Sequence, residues 1–207
     1  VSSSTQVRDA VLELFQRVFP DAAFDALWIA FHDFERLFAG SYPDYLGCDT
    51  VYHDRQHSLD ITLAMARLVA GYELSTDDPL GAERAVLGII AALFHDAGYI
   101  RRRDETRWQN GAQFTRWHVS RSADFLRDYL PTLRLGDMSM LATQLVHFTG
   151  YELNVDEIEL DEPRDTTVGH LLGTADLLAQ MADRCYLEKC RDRLYAEFVI
   201  SGVAFGE

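Results

Sequence analysis

No apolar stretch in this 207-residue chain approaches the length of a membrane-spanning helix, and the N-terminus has no signal-peptide pattern, so no membrane segment is expected in this range. Cysteine is scarce. Cys48, Cys185 and Cys190 are odd in number and lack a CxxC spacing, which argues against a disulfide framework or a cysteine-zinc site and fits the reduced thiols of a cytoplasmic protein. Positive charge is also short: 19 lysines and arginines face 33 acidic residues, for a net charge of −14. That balance argues against nucleic-acid polymers and acidic membranes as partners. There is no internal repeat, no low-complexity tract and no convincing strand pair. The chain begins at Val1 rather than Met, as a processed or excised segment would.

What is present reads as a folded domain. Hydrophobic residues make up 48% of the chain and aromatics 12%, enough for a substantial core at this length. Helical periodicity runs through most of it. Val7, Val11, Leu14, Phe15 and Val18 share one side of a helix over 5–19; Phe24, Leu27, Trp28, Phe31 and Phe34 face inward from a second, ending at Leu37. Further helices are expected over 53–72, 80–94, 113–129, 137–148, 167–182 and 184–200, with loops at 40–50, 101–111 and 152–165. In the last helix Tyr186, Leu187, Leu194 and Phe198 would form the apolar side, packing inward or forming an oligomer surface. The expectation is an all-α protein: a single helical bundle over 1–207, with N-terminal helices in 1–50, a core in 51–185 and a C-terminal helix in 186–207.

Polar residues then stand where this pattern would bury them. In "YHDRQHSLDI" (52–61), His53 and His57 are four apart and Asp60 three further on, so on a helix the three share a face. His95 and Asp96 end the most apolar helix, where an unpaired carboxylate would be costly and a cation would compensate it. His118 and His147 lie on apolar helices, and Asp176 interrupts "LLGTADLLAQM". His32 and His170 lack such company and read as surface and structural. Charge is uneven as well: residues 97–121 hold six arginines against two acids, whereas 156–165 holds six acids and one arginine. A local basic loop in an acidic protein suits a small anionic ligand, or a solvated loop with internal ion pairs.

The ordered set His57, His95–Asp96, His118, His147, Asp176 resembles the HD superfamily of metal-dependent phosphohydrolases over roughly residues 50–185. The resemblance implies an all-helical domain with metal at its centre. His57, His95, Asp96 and Asp176 would be the basic ligand set, His118 and His147 the further ligands of two-metal members, and Asp96 the bridging carboxylate. Fe, Mn, Zn or Ni suits such donors, with Mg a candidate at a second site. "YHDRQHSLDI" is also similar to the YHNxxHxxDV signature of cyclic-nucleotide phosphodiesterases. By that likeness His53 protonates the leaving oxygen and Asp60 orients a ligand histidine or the water, although His53 as a structural partner of Asp60 is the competing reading. Asp54 replaces the Asn of that signature. Tyr99 stands where those enzymes carry a histidine and where the HD-GYP branch carries a lysine; "EFVISG" (197–202) offers Ser201 in place of a purine-gripping Gln.

The implied function is hydrolysis of a phosphate ester of a small metabolite or nucleotide by metal-activated water, with Asp96, His53 and Asp60 catalytic. Arg101, Arg102, Arg103, Arg107 and Tyr99 are the candidate substrate contacts. The alternatives are a di-iron oxygenase of HD type and a metal-containing binding module without catalysis.

Overall fold

Two helix starts decide where site residues fall, one set by a side-chain cap and the other by a preceding 3₁₀ turn. A computed structural model describes residues 3–205. Ser3 caps α1 (Ser4–Val18) through a capping box with Gln6. Val7, Val11, Leu12 and Phe15 are its buried face. α2 (Asp25–Phe38) buries Leu27, Phe31 and Phe34. Trp28, expected inward, is 48% exposed and instead carries the Arg8 guanidinium 4.0 Å from its ring centroid. α3 (Arg55–Ser75) begins later than the periodicity indicates, because Asp54 accepts a hydrogen bond from His57 N–H at 2.9 Å and acts as its N-cap. His53 therefore lies outside the helix that carries His57.

α4 (Ala82–Phe94) is buried on all sides from Ala85 onward. α5 (His118–Tyr129) starts at His118, since a 3₁₀ turn, Gly111–Phe114, occupies the beginning of the expected helix. α6 (Ser139–Leu145) is flanked by 3₁₀ turns at Gly136–Met138 and Val146–Thr149, so the helix expected over 137–148 is three short pieces and His147 sits in the last. α7 (Pro163–Met181) opens at a proline, whose missing N–H costs nothing in a first helical turn. The expected 184–200 helix is divided into α8 (Tyr186–Lys189), a π turn at Cys190–Leu194 and α9 (Tyr195–Ile200). Of its expected apolar side, Tyr186, Leu194 and Phe198 are half-buried and Leu187 is 75% exposed, while the single fully buried residue from α8 through α9 is Glu197.

The fold is all-α. No strand forms among the described residues; an isolated antiparallel bridge joins Tyr45 and Arg102. No helix among them is long and apolar enough to cross a membrane. α4 is the central rod, with α2, α3, α5, α6 and α7 packed around it, and α1 lies against α3. Its apolar flanks join one continuous core. The C-terminal end of α4 thus emerges in the interior of the bundle, where α3, α5 and α7 bring up their own polar residues.

Candidate metal centre

His95 and Asp96 are carried to the centre by α4, and both are 2% exposed. Ala92 O lies 2.8 Å from His95 Nδ1, which assigns the ring proton to that nitrogen and turns Nε2 inward. His95 Nε2 stands 3.1 Å from Asp96 Oδ2. His57, in the first turn of α3, places its Nε2 3.4 Å from the same oxygen and 3.8 Å from Asp176 Oδ1 on α7. On the other side of the carboxylate, His118 Nε2 is 3.7 Å from Asp96 Oδ1. The His118 ring is fixed through Nδ1, which lies 2.8 Å from Thr115 O. Its close approach to the 95–98 turn depends on Gly98: a Cβ there would fall 1.8 Å from His118 O.

Donor atoms bound at ~2.1 Å to one cation lie ~3–4 Å from each other. The spacings around Asp96 and His57 fall in that range. Two groups have all their donor atoms within 4.8 Å of one another: His53, His57 and Asp96, and His57, His95 and Asp176. His95 Nε2 and Asp96 Oδ2 are buried and have no hydrogen-bond partner among the described residues. A lone pair from each would face the other unless a proton or a cation stood between them. The donors present, imidazoles and carboxylates, are those that bind Fe, Mn, Zn or Ni.

The electrostatics follow from burial and from Asp96. Burial, with His53 and His95 adding to it, pushes His57 down to about 3, so this imidazole is neutral and free to donate its lone pair. Burial also lowers His118. For His95 the pull of burial is outweighed by the Asp96 charge, which raises it to about 9. Burial opposes ionisation of Asp96, yet His95 and His53 hold its carboxyl well below the usual range. Burial raises Asp176. The Asp176 Oδ1 atom accepts from Gln180 Nε2 at 2.6 Å, and Gln180 Oε1 in turn accepts from the Tyr52 hydroxyl at 2.9 Å.

His53 meets this group from the loop before α3. Its Nδ1 is 2.5 Å from Glu197 Oε2, while Glu197 Oε1 accepts from the N–H groups of Val51 and Tyr52 at 2.7 and 2.6 Å. Asp96 and Glu197 together outweigh the burial of His53 and raise it. The side chains of His53, His57, His118 and Asp176 are 11–13% exposed against 2% for His95 and Asp96, so solvent reaches the centre from their side.

Other expected residues are placed elsewhere. His147 is outside both close groups; its buried Nδ1 has no hydrogen-bond partner among the described residues, and burial lowers its pKa. Asp60 accepts from Gln56 Nε2 at 2.8 Å on its own helix, and no hydrogen bond joins it to His57 or His53. Tyr99, expected to touch substrate, is 1% exposed and out of a substrate's reach. The arginines answer to their own loop and to the 40–50 loop beside it. Arg101 bonds Asp49 Oδ2 at 2.7 Å and Trp108 O at 2.9 Å, and Arg103 bonds Gly40 O at 2.9 Å. Arg102 and Arg107 lie over Tyr45 and Trp108, at 5.5 and 5.0 Å. None of these contacts reaches the His–Asp group. His32 and His170 are exposed.

Three contributors went unread in the sequence: Glu197, Gln180 and Tyr52. Gln180 had a signal, since it stands four residues after Asp176 and shares its helix face. Glu197 had a weaker one as the lone acid of "YAEFVI". Tyr52 had none beyond its place beside His53.

No curated protein and no solved structure matches the chain. A family model, Npun_R2479-like, matches residues 41–205, a span that holds every residue of the centre from His53 to Glu197. The chain belongs to the Npun_R2479-like family.

Proposed function

We propose that this protein is a metal-dependent phosphohydrolase built on an HD-type helical bundle, acting on a phosphate ester of a small metabolite or nucleotide. The observation that carries the reading is the Asp96 carboxylate. It is buried, short of hydrogen bonds, approached on Oδ2 by His57 and His95 and on Oδ1 by His118. A carboxylate with imidazole nitrogens on both oxygens suits a bridging position between two cations. His57, His95, Asp96 and Asp176 would hold the first, and Asp96 and His118 would contribute to the second.

A bound divalent ion supplies Lewis acidity and lowers the pKa of a water toward neutrality. The chain's own residues do the remainder. Gln180 and Tyr52 fix Asp176 in one orientation. Glu197 accepts the Nδ1 proton of His53, which leaves Nε2 as the atom that hands a proton to the departing oxygen. This arrangement replaces the expected pairing of His53 with Asp60. Removing a buried ligand leaves its partners unpaired, so His95→Ala and Asp176→Ala are the informative variants.

The test is metal analysis of the purified protein together with a phosphomonoesterase and phosphodiesterase panel in added Mn, Fe, Zn and Mg. The expected result is stoichiometric transition metal, ester hydrolysis, and loss of both in the two variants. A protein that takes up no transition metal overturns the reading. Stoichiometric iron with visible absorption and oxygen consumption, but no ester hydrolysis, overturns the hydrolase assignment in favour of an oxygenase on the same ligands.

A further inference from the structure

Tyr99 is three residues beyond Asp96 and is sealed from solvent, yet its ring meets two of the imidazoles of the centre. The His53 ring stacks on it with centroids 4.4 Å apart and planes inclined by 15°; the His118 ring does the same at 4.3 Å and 22°. The two imidazole centroids are 6.1 Å from each other. These histidines come from separate parts of the chain, one before α3 and the other at the start of α5. Each has one ring nitrogen tied down, His53 to Glu197 and His118 to Thr115 O. A single edge hydrogen bond leaves an imidazole free to pivot about that bond. A stacked face removes the pivot.

We infer that Tyr99 is a positioning residue that sets the orientation of His53 and His118 together, and so governs occupancy of the second metal position at Asp96 Oδ1. The inference rests on the metal-centre reading above. The ring face does this work, since it is the part of Tyr99 on which both imidazoles stack. The first position does not depend on it, because neither His57 nor His95 stacks on Tyr99 and Asp176 lies on α7. Substitution should therefore separate the two positions.

The experiment is titration of metal-free protein with Co(II), followed by absorption spectroscopy and by metal analysis after gel filtration, for wild type, Tyr99→Phe and Tyr99→Leu. Phe keeps the aromatic face and should hold both equivalents. Leu keeps an apolar side chain without that face; it should retain the first equivalent and weaken the second roughly 10–100-fold, the usual cost of losing a residue that orients a ligand. Selective loss of one equivalent is not what general destabilisation produces. Folded Tyr99→Leu, by circular dichroism and melting, that binds both equivalents as wild type does would overturn the inference. Wild-type protein that binds no Co(II) overturns it together with the reading beneath it.

A second measurement covers the case in which Tyr99→Leu does not fold. In ¹³C-histidine spectra of wild-type protein loaded with Zn, ring currents should shift two imidazole signals upfield, assigned to His53 and His118 by single His→Gln variants. Unshifted signals at both positions overturn the stacking on which the inference depends.

Discussion

Removing the Asp96 carboxylate from water costs several kcal/mol unless nearby charge or a cation compensates it, and the groups nearest to it are the imidazoles of His57, His95 and His118. The same economy of partners governs Glu197, whose two oxygens serve the 51–52 backbone and the His53 ring at once. Replacing Glu197 by Gln preserves shape and still offers an oxygen to the backbone. It cannot hold the Nδ1 proton of His53 as a carboxylate does, so the ring loses its assigned tautomer. Glu197→Gln should bind the same quantity of metal as wild type and turn over roughly 10²-fold more slowly, the low end of what a positioned general acid contributes. Steady-state kinetics with metal analysis checks this, and parallel loss of metal would count against a role through His53. At this scale the sequence was legible where spacing signalled a shared face or an abrupt change in polarity. His57, His95, Asp96, His118 and Asp176 were read that way. Glu197 was not, because its partners lie 144–146 residues away along the chain and periodicity says nothing about them.

Among the elements, boundaries mattered more than identities. The periodicity of α1, α2 and α4 was plain in the sequence, yet His53 moved out of α3 because Asp54 capped the helix at the residue after it. His118 moved to the first residue of α5 because a 3₁₀ turn preceded it. The basic loop shows why a charge count misreads direction. Its arginines read either as contacts for an anionic ligand or as members of internal pairs, and Asp49, Gly40 and two aromatic rings take them up. Arg121 binds Glu105 through two bonds of 2.6 and 2.9 Å and also reaches Gly98 O, which ties the loop to the turn carrying Asp96. Burial opposes ionisation of Glu105, but hydrogen bonds from Arg121 and from the Arg102 N–H outweigh it and lower its pKa. A carboxyl lowered on folding stabilises the folded state above its unfolded pKa, about 4.5, and loses that contribution as pH falls through the folded value. Glu105→Gln should therefore melt lower than wild type near neutral pH, by about 2–4 °C for ~1 kcal/mol in a chain of this size. The gap should close as the pH is brought below about 4.5. A gap that persists unchanged in acid would place the effect in packing instead of charge.

For the molecule as a whole, α4 is apolar all round from Ala85 onward because it is covered all round, and its C-terminal end is where α3, α5 and α7 bring His57, His118 and Asp176 to the His95–Asp96 pair. The all-α class was readable from helical periodicity along the chain, and the central position of the His95–Asp96 pair from that apolar run. The C-terminal segment was not, since its exposed Leu187 and buried Glu197 invert the usual hydrophobic rule. Asp96 and Asp176 are both buried at that end, and burial raises the second, with Asp96 adding to it against the pull of His95. A cation bound among residues of four helices should act as a cross-link of the native bundle that the unfolded chain lacks. Free metal at about 1,000 times its dissociation constant adds ~4 kcal/mol. At about 2–4 °C per kcal/mol, the melting temperature should rise by roughly 8–16 °C over the chelator-treated protein. The net charge of −14 supplies a competing cause, because surface acids also attract cations. Two comparisons separate the causes. Asp176→Asn keeps the surface intact and should lose most of the shift, and Ca²⁺, which surface carboxylates accept as readily, should give wild type little of it. An equal rise with Ca²⁺ and with Mn²⁺, undiminished in Asp176→Asn, would assign the stabilisation to the acidic surface and remove the centre's claim to it.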